Sequence, residues 1–198
     1  MTQVVLISVD GLNPDAITRL GPTGAPTFYR LMAEGTSTLN ARTVVEATQT
    51  LPNHTSMVTG RSVSAGEYAA SIFDVVHDAG GTTALYSGKL KFDFLDRSWN
   101  AVNGAVDVTG ADDGRDKIDT YLRAADTVTT DALEASLTGG DPTDFSMIHY
   151  PGPDQVGHAQ GYMSPAYIDE VAATDTLIGD LVDTIAADRT WRRTRSSS

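Results

Sequence analysis

The chain has no cysteine, few basic residues and no long apolar run; its 14 Lys and Arg face 26 Asp and Glu. Zero cysteine excludes disulfides, thiolate metal sites and cysteine nucleophiles. It also argues against a sulfatase that modifies an active-site cysteine. The net charge of −12 and a pI near 4.5 exclude a nucleic-acid groove, which relies on Lys and Arg against phosphate. A small phosphorylated substrate remains compatible, because a bound cation reverses the local charge. No apolar stretch reaches the roughly 18 residues of a membrane span. Methionine leads straight into the first apolar run with no signal-peptide pattern. The chain as written is therefore expected in the cytoplasm, with a lost leader as the rival reading.

What is present fits one globular domain: 198 residues, 40% hydrophobic and 20% charged, are ordinary values. Val4 to Val9 is nearly continuous apolar sequence ending at Asp10-Gly11. Such a run reads as a strand buried on both faces of a parallel sheet. Ligands of open α/β sheets bind beyond the carboxyl ends of the strands, so Asp10 stands where a metal ligand belongs. An ordinary turn aspartate before glycine is the plainer alternative.

Phe145 to Tyr150 repeats the design and leads into Pro151-Gly152-Pro153, then Asp154-x-x-x-His158. Two prolines and two glycines predict a loop here rather than a regular helix. Carboxylate and imidazole are both zinc donors, although a polar surface loop gives the same spacing. Between the two strands runs T-Q-T-L-P-N-H-T-S-M-V-T-G, residues 48–60. Pro52 favours the first turn of a helix and Gly60 its end. Thr50 then lies at the helix N-terminus, whose field favours an anion. A threonine N-cap has the same signature, and Thr48 or Thr55 would serve equally on chemistry alone.

The remaining pattern alternates helices and strands. Helices are expected over 27–34, 69–78 and 164–187, a strand over 82–86, a surface loop over 100–116, and one or two helices over 116–137. Helices between strands indicate a mostly parallel sheet. His77 reads as a helix-end residue, and Trp99 and Tyr121 as packing residues. His149 adjoins a strand end and is a candidate for holding a ligand from behind. Lys89, in Y-S-G-K-L-K-F, reads as an exposed loop lysine that could meet a phosphate.

In their order, V-D-G, T-L-P-N-H-T-S-M-V-T-G and P-D-x-x-G-H resemble the type I phosphodiesterase/nucleotide pyrophosphatase family of the alkaline phosphatase superfamily. The resemblance runs from Val4 to about Asp188. It implies a three-layer αβα fold with a mostly parallel sheet, two zinc ions and a threonine nucleophile. Carried onto this chain, Asp10 and Thr50 contact one metal, and Asp154 and His158 the other. Thr50 attacks phosphorus, and Asn53 supports its turn. The implied activity is hydrolysis of phosphodiester, pyrophosphate or phosphomonoester bonds of a small substrate such as a nucleotide.

The chain also departs from the family pattern. After the 164–187 helix the family continues with an apolar strand ending in Asp-His-Gly and a later histidine, which complete the metal sites. Here D-R-T-W-R-R-T-R-S-S-S follows. The reading is a shortened domain over 1–188, lacking its C-terminal strands, with a basic tail over 189–198 from a changed reading frame or a truncated gene. A tail that binds an anionic surface is the alternative. The family's His-Gly loop and phosphoryl-binding asparagine are missing after Gly60. Partial zinc occupancy, impaired hydrolysis and self-association through an exposed sheet edge and the apolar face of 164–187 are the expected consequences. A non-catalytic remnant that binds metal or phosphate is the rival function.

Overall fold

The computed structural model describes residues 3–41, 48–61, 70–96 and 117–187. The expected 100–116 loop, Trp99, the segment 62–68 after Gly60 and the 189–198 tail lie outside the described residues. Four strands, β1 (Val4–Val9), β2 (Thr83–Ser87), β3 (Thr120–Arg123) and β4 (Phe145–Tyr150), form one sheet in the order β1-β4-β2-β3. Every pairing is parallel. The two central strands, TALYS and FSMIHY, are buried at every position, which is why they read as near-continuous runs rather than alternating ones.

Eight helices accompany these strands among the described residues: α1 (Pro14–Gly24), α2 (Pro26–Glu34), α3 (Thr50–Thr59), α4 (Ile72–Asp78), α5 (Asp93–Asp96), α6 (Asp126–Thr138), α7 (Gly152–Gln160) and α8 (Pro165–Ala187). The two-residue period of the strands sorts them into layers. Leu6, Leu85, Phe145 and Met147 pack with Val58 of α3 and Phe73 of α4. Ala84, Tyr86, Ile148 and Tyr150 pack on the opposite face with Leu133 and Leu137 of α6 and Ile178 and Leu181 of α8. The result is the expected three-layer αβα fold. No helix is long and apolar enough to cross a membrane among the described residues.

Four expectations need correction. Residues 152–160 are helical, not a loop: Pro153 sits in the first turn of α7, the position where its missing N–H costs nothing. Thr120–Arg123 is an edge strand where helix was expected, and the helix begins only at Asp126. Pro14–Gly24, unassigned from sequence, is helical with a kink at Gly21 (φ +64°), and it is started by Asn13, whose side chain accepts from the Asp15 N–H, followed by Pro14. The apolar stripe of α8 is covered, with Tyr167 and Val171 at 0% exposure and Ile178 and Leu181 in the sheet-facing core. An open apolar helix face is therefore no source of self-association; the β1 edge of the sheet is unpaired among the described residues.

The α2 helix has no side-chain cap from its own N-cap residue, Ala25. Asp175 of α8, 1% exposed, supplies it by accepting from Thr27 N at 3.0 Å and Phe28 N at 2.7 Å. A carboxylate at a helix N-terminus both pairs orphan donors and meets the positive end of the dipole. Asp175→Ala should therefore lower stability by about 2–4 kcal/mol, since it strands two backbone donors. Urea titration checks this; a loss under about 0.5 kcal/mol, the surface-substitution range, would mean that α2 docks by its apolar contacts alone.

Candidate active site

Because all strands run parallel, their carboxyl ends share one edge of the sheet. The register aligns Val9 with Tyr150 and Ser87 with His149. Asp10, Lys89 and Asp154 follow these ends within one, two and four residues. Asp10 is anchored by its own N–H, which donates to Tyr150 O at 3.0 Å. Gly11 adopts φ +68°, and a Cβ there would stand 2.7 Å from Asp154 Cα. The Asp-Gly pair is thus a close approach that lets the first turn of α7 lie against β1. Tyr167 Oη donates to Gly11 O at 2.8 Å and accepts from Asn13 N at 2.8 Å, clamping the turn from behind.

Thr50 is the first residue of α3, with Gln49 as N-cap. Its hydroxyl does not cap the helix; it donates to Asp10 Oδ2 at 3.0 Å. Asn53 Nδ2 donates to Gln49 O at 2.9 Å, fixing the residue before Thr50. His54, one turn on, is buried and holds Thr50 from the other side. Its Nδ1 lies 2.7 Å from Thr50 O. A carbonyl only accepts, so Nδ1 carries the proton and Nε2 accepts from Ser8 Oγ at 2.8 Å. Ser8, on the same strand face as Leu6 and Asp10, ties the threonine helix to β1.

Lys89 is the residue that sequence reasoning misplaced. Its side chain is 11% exposed, and Nζ lies 2.5 Å from both Asp10 Oδ2 and Asp154 Oδ2. It is a partly buried bridge, not an exposed loop lysine. The signal available was position: S-G-K follows directly on a fully buried strand. His149 is fully buried between Phe92 and His54, with ring centroids 4.2 and 5.0 Å away. Its Nδ1 lies 3.1 Å from Ser87 Oγ. Its Nε2 has no hydrogen-bond partner and sits 3.5 Å from Asp10 Oδ2. His158 touches Asp154 Oδ1 at 3.3 Å but is 74% exposed, and Tyr162 Oη donates to the same oxygen at 3.0 Å. His77 ends α4, as its sequence context indicates.

These contacts set the charges. Burial raises the Asp10 carboxyl, but the nearby His149 ring and the bond and charge of the Lys89 ammonium overcome it and hold the group well below the usual carboxylate range. At 3.5 Å the His149 contact is long for a hydrogen bond, so the 2.5 Å Lys89 contact is the stronger influence. Burial lowers Lys89, yet its bonds to Asp10 and Asp154 leave it raised overall. Burial holds His149 below its ordinary value, against the pull of Asp10, so its imidazole is neutral.

The donor types suit a divalent cation, but their arrangement does not. No three His, Cys, Asp or Glu side chains converge to hold a metal among the described residues. The space between Asp10 and Asp154 is taken by the Lys89 ammonium. Thr50, Asp10, Lys89 and Asp154 converge; His158 stands at the margin.

The fold is shared with several solved structures. Murine ectonucleotide pyrophosphatase/phosphodiesterase 5, as an inactive variant in complex with AMP, superposes with a TM-score of 0.69 at 19% identity, covering 96% of this chain and 54% of that one. A protein of the alkaline phosphatase superfamily from Vibrio parahaemolyticus gives 0.61 at 15%, covering 96% and 52%. Phosphonoacetate hydrolase from Sinorhizobium meliloti 1021, in complex with phosphonoformate, gives 0.55 at 16%, covering 92% and 54%. The chain thus spans about half the length of the structures it matches. No curated protein matches it significantly. The model of the type I phosphodiesterase/nucleotide pyrophosphatase family matches residues 4–66 and 67–195, and the chain belongs to that family.

Two predictions test this geometry. Gly11→Ala forces an unfavourable φ, worth about 1–2 kcal/mol, and a clash with α7 backbone. It should destabilise the fold by about 2 kcal/mol or more in urea titration; an unchanged midpoint would mean that α7 does not pack on the β1 turn as described.

Asp126, beside the Gly152 N–H, is raised from 3.8 to about 6, mainly by burial, with Glu170 adding to the shift and the Gly152 N–H opposing it. A raised carboxyl means that the ionised form is disfavoured in the folded state. The cost is full above pH 6 and disappears as pH falls toward 4. Asp126→Asn should therefore be more stable than the native chain at pH 7.5, by about 1 kcal/mol after solvent screening of this partly exposed group. The gain should shrink through pH 6. Equal gains at pH 7.5 and 4.5 would show that the effect is not ionisation.

Proposed function

We propose that this chain is a phosphoester hydrolase domain acting on phosphodiester or pyrophosphate bonds of a nucleotide-like substrate, with Thr50 as nucleophile. The observation that carries this reading is the Thr50 hydroxyl at the start of α3, donating to Asp10 Oδ2 at 3.0 Å. This bond orients the hydroxyl and leaves its lone pairs for phosphorus. Membership of the family supplies the reaction class, and the AMP bound to the murine relative supplies the nucleotide.

The chain's own groups divide the work as follows. Thr50 Oγ1 forms the new P–O bond while the bond to the leaving oxygen breaks, and the hydroxyl proton passes to Asp10 Oδ2. Water then cleaves the phosphothreonine and restores the hydroxyl. His54 and Asn53 fix the backbone on either side of Thr50, which holds the attacking oxygen in place. A carboxylate as acidic as Asp10 is a weak base, so turnover by these groups alone is slow. The family is generally metal-dependent. Because the donors as arranged do not enclose a metal, no step is assigned to one.

The Lys89 bridge favours a second reading, a non-catalytic domain with its two carboxylates neutralised from within. Turnover of a chromogenic phosphodiester separates the two. Thr50→Ala should reduce it by about 100-fold or more, the scale of losing a nucleophile, while Thr50→Ser should retain part of it. Activity that survives Thr50→Ala would remove Thr50 from the role, and no activity in the native chain with zinc, manganese or magnesium would favour the non-catalytic reading.

A further inference from the structure

We infer that the Lys89 ammonium is the resident cation of this site, holding Asp10 and Asp154 together in the metal-free protein, so that a divalent cation enters only by displacing it. The inference rests on placement and is independent of whether the chain hydrolyses anything.

Two carboxylates from distant parts of the chain are brought face to face by the close approach at Gly11. Unneutralised, they would repel one another in a site where both are 15% exposed or less. Lys89 Nζ lies 2.5 Å from one oxygen of each, the bridging position that a cation shared by these residues would need. Its approach is built in. Lys89 N donates to Ser87 Oγ at 3.2 Å, and Lys89 begins the short turn Leu90–Phe92 as its N-cap, so the backbone aims the side chain across the strand ends. An ammonium has three donors and no coordination demand. It satisfies the carboxylates without the third or fourth ligand that zinc requires. Asp154 Oδ1 keeps its bond from Tyr162, so the site is closed on both sides of the lysine. The ammonium and a divalent cation would compete for the same oxygens, and two positive charges would not share that space.

The test uses the native chain first. Metal-free protein is treated with an amine-acylating reagent, and modification is read by mass spectrometry at Lys89 and at exposed Lys91 as internal standard. Lys89 should react about tenfold or more slowly than Lys91, and titrated zinc should raise its reactivity. Calorimetry with zinc then compares the native chain with Lys89→Met, which should bind about tenfold or more tightly. The inference fails if Lys89 reacts as fast as Lys91 without metal, if zinc binds without exposing Lys89, or if Lys89→Met binds zinc no better than the native chain. Absence of zinc binding by both chains overturns the competition too. Should Lys89→Met not fold, the acylation of the native chain decides alone.

Discussion

Parallel pairing of β1 with β4 is the constraint on which the site depends. It joins residues 4–9 to residues 145–150 in direct register, so that two carboxylates 144 positions apart in number leave the sheet at the same edge. Antiparallel pairing would send them to opposite ends. Parallel strands need long crossovers, and the chain between β1 and β4 fills that need with α1 to α6 and the two other strands. The same two-residue period that builds the core also aims the polar residues. Leu6 and Met147 pack beneath the site, and Ser8, Asp10 and His149 continue those same strand faces upward toward α3.

How much of this could be read in advance follows from the kind of signal involved. β2 and β4 are visible because strands buried on both faces read as near-continuous apolar runs; β1 is visible as an apolar run too, although it is an edge strand and mostly half-buried rather than buried on both faces as its sequence predicts. Thr50 and Asp10 are visible because a helix start and a strand end are local patterns. β3 is a four-residue edge strand with the burial of a half-exposed surface, too short to outweigh the helical residues around it. In α7 the Pro and Gly residues read as breakers, although the first turn is the place where proline fits. Lys89, His54 and His149 belong to a different class. Their roles come from contacts with residues 46 to 79 positions away, and no window of sequence contains those partners. The rule that parallel strands gather their ends at one edge would have pointed to Lys89, since it follows β2 by two residues.

The buried charges also explain why the site is dense rather than open. Asp10 Oδ2 alone faces the Thr50 hydroxyl, the Lys89 ammonium and the His149 imidazole. Burying one carboxylate without partners would cost several kcal/mol; here a cation and a hydroxyl offset that cost, and a neutral histidine seals the rear. His54 and His149 meet edge to face at 5.0 Å, so the supports of Thr50 and of Asp10 rest on each other. A change at either histidine would reach both Thr50 and Asp10.

That coupling bears on what half of a fold can do. The chain covers just over half of its structural relatives, yet Thr50, Asp10, Lys89 and Asp154 all come from helix starts and turns at one edge of the described sheet, and α8 packs on one face of that sheet. The convergence of the Thr50 hydroxyl with two carboxylates is therefore built by these layers. What the layers do not provide is a ring of donors about a metal, because each acid already spends an oxygen on Lys89. The placement of the Thr50 hydroxyl on Asp10 and the capacity for a divalent cation are thus separable in this architecture: the first is fixed by strand register and helix docking, the second by which cation occupies the gap between Asp10 and Asp154.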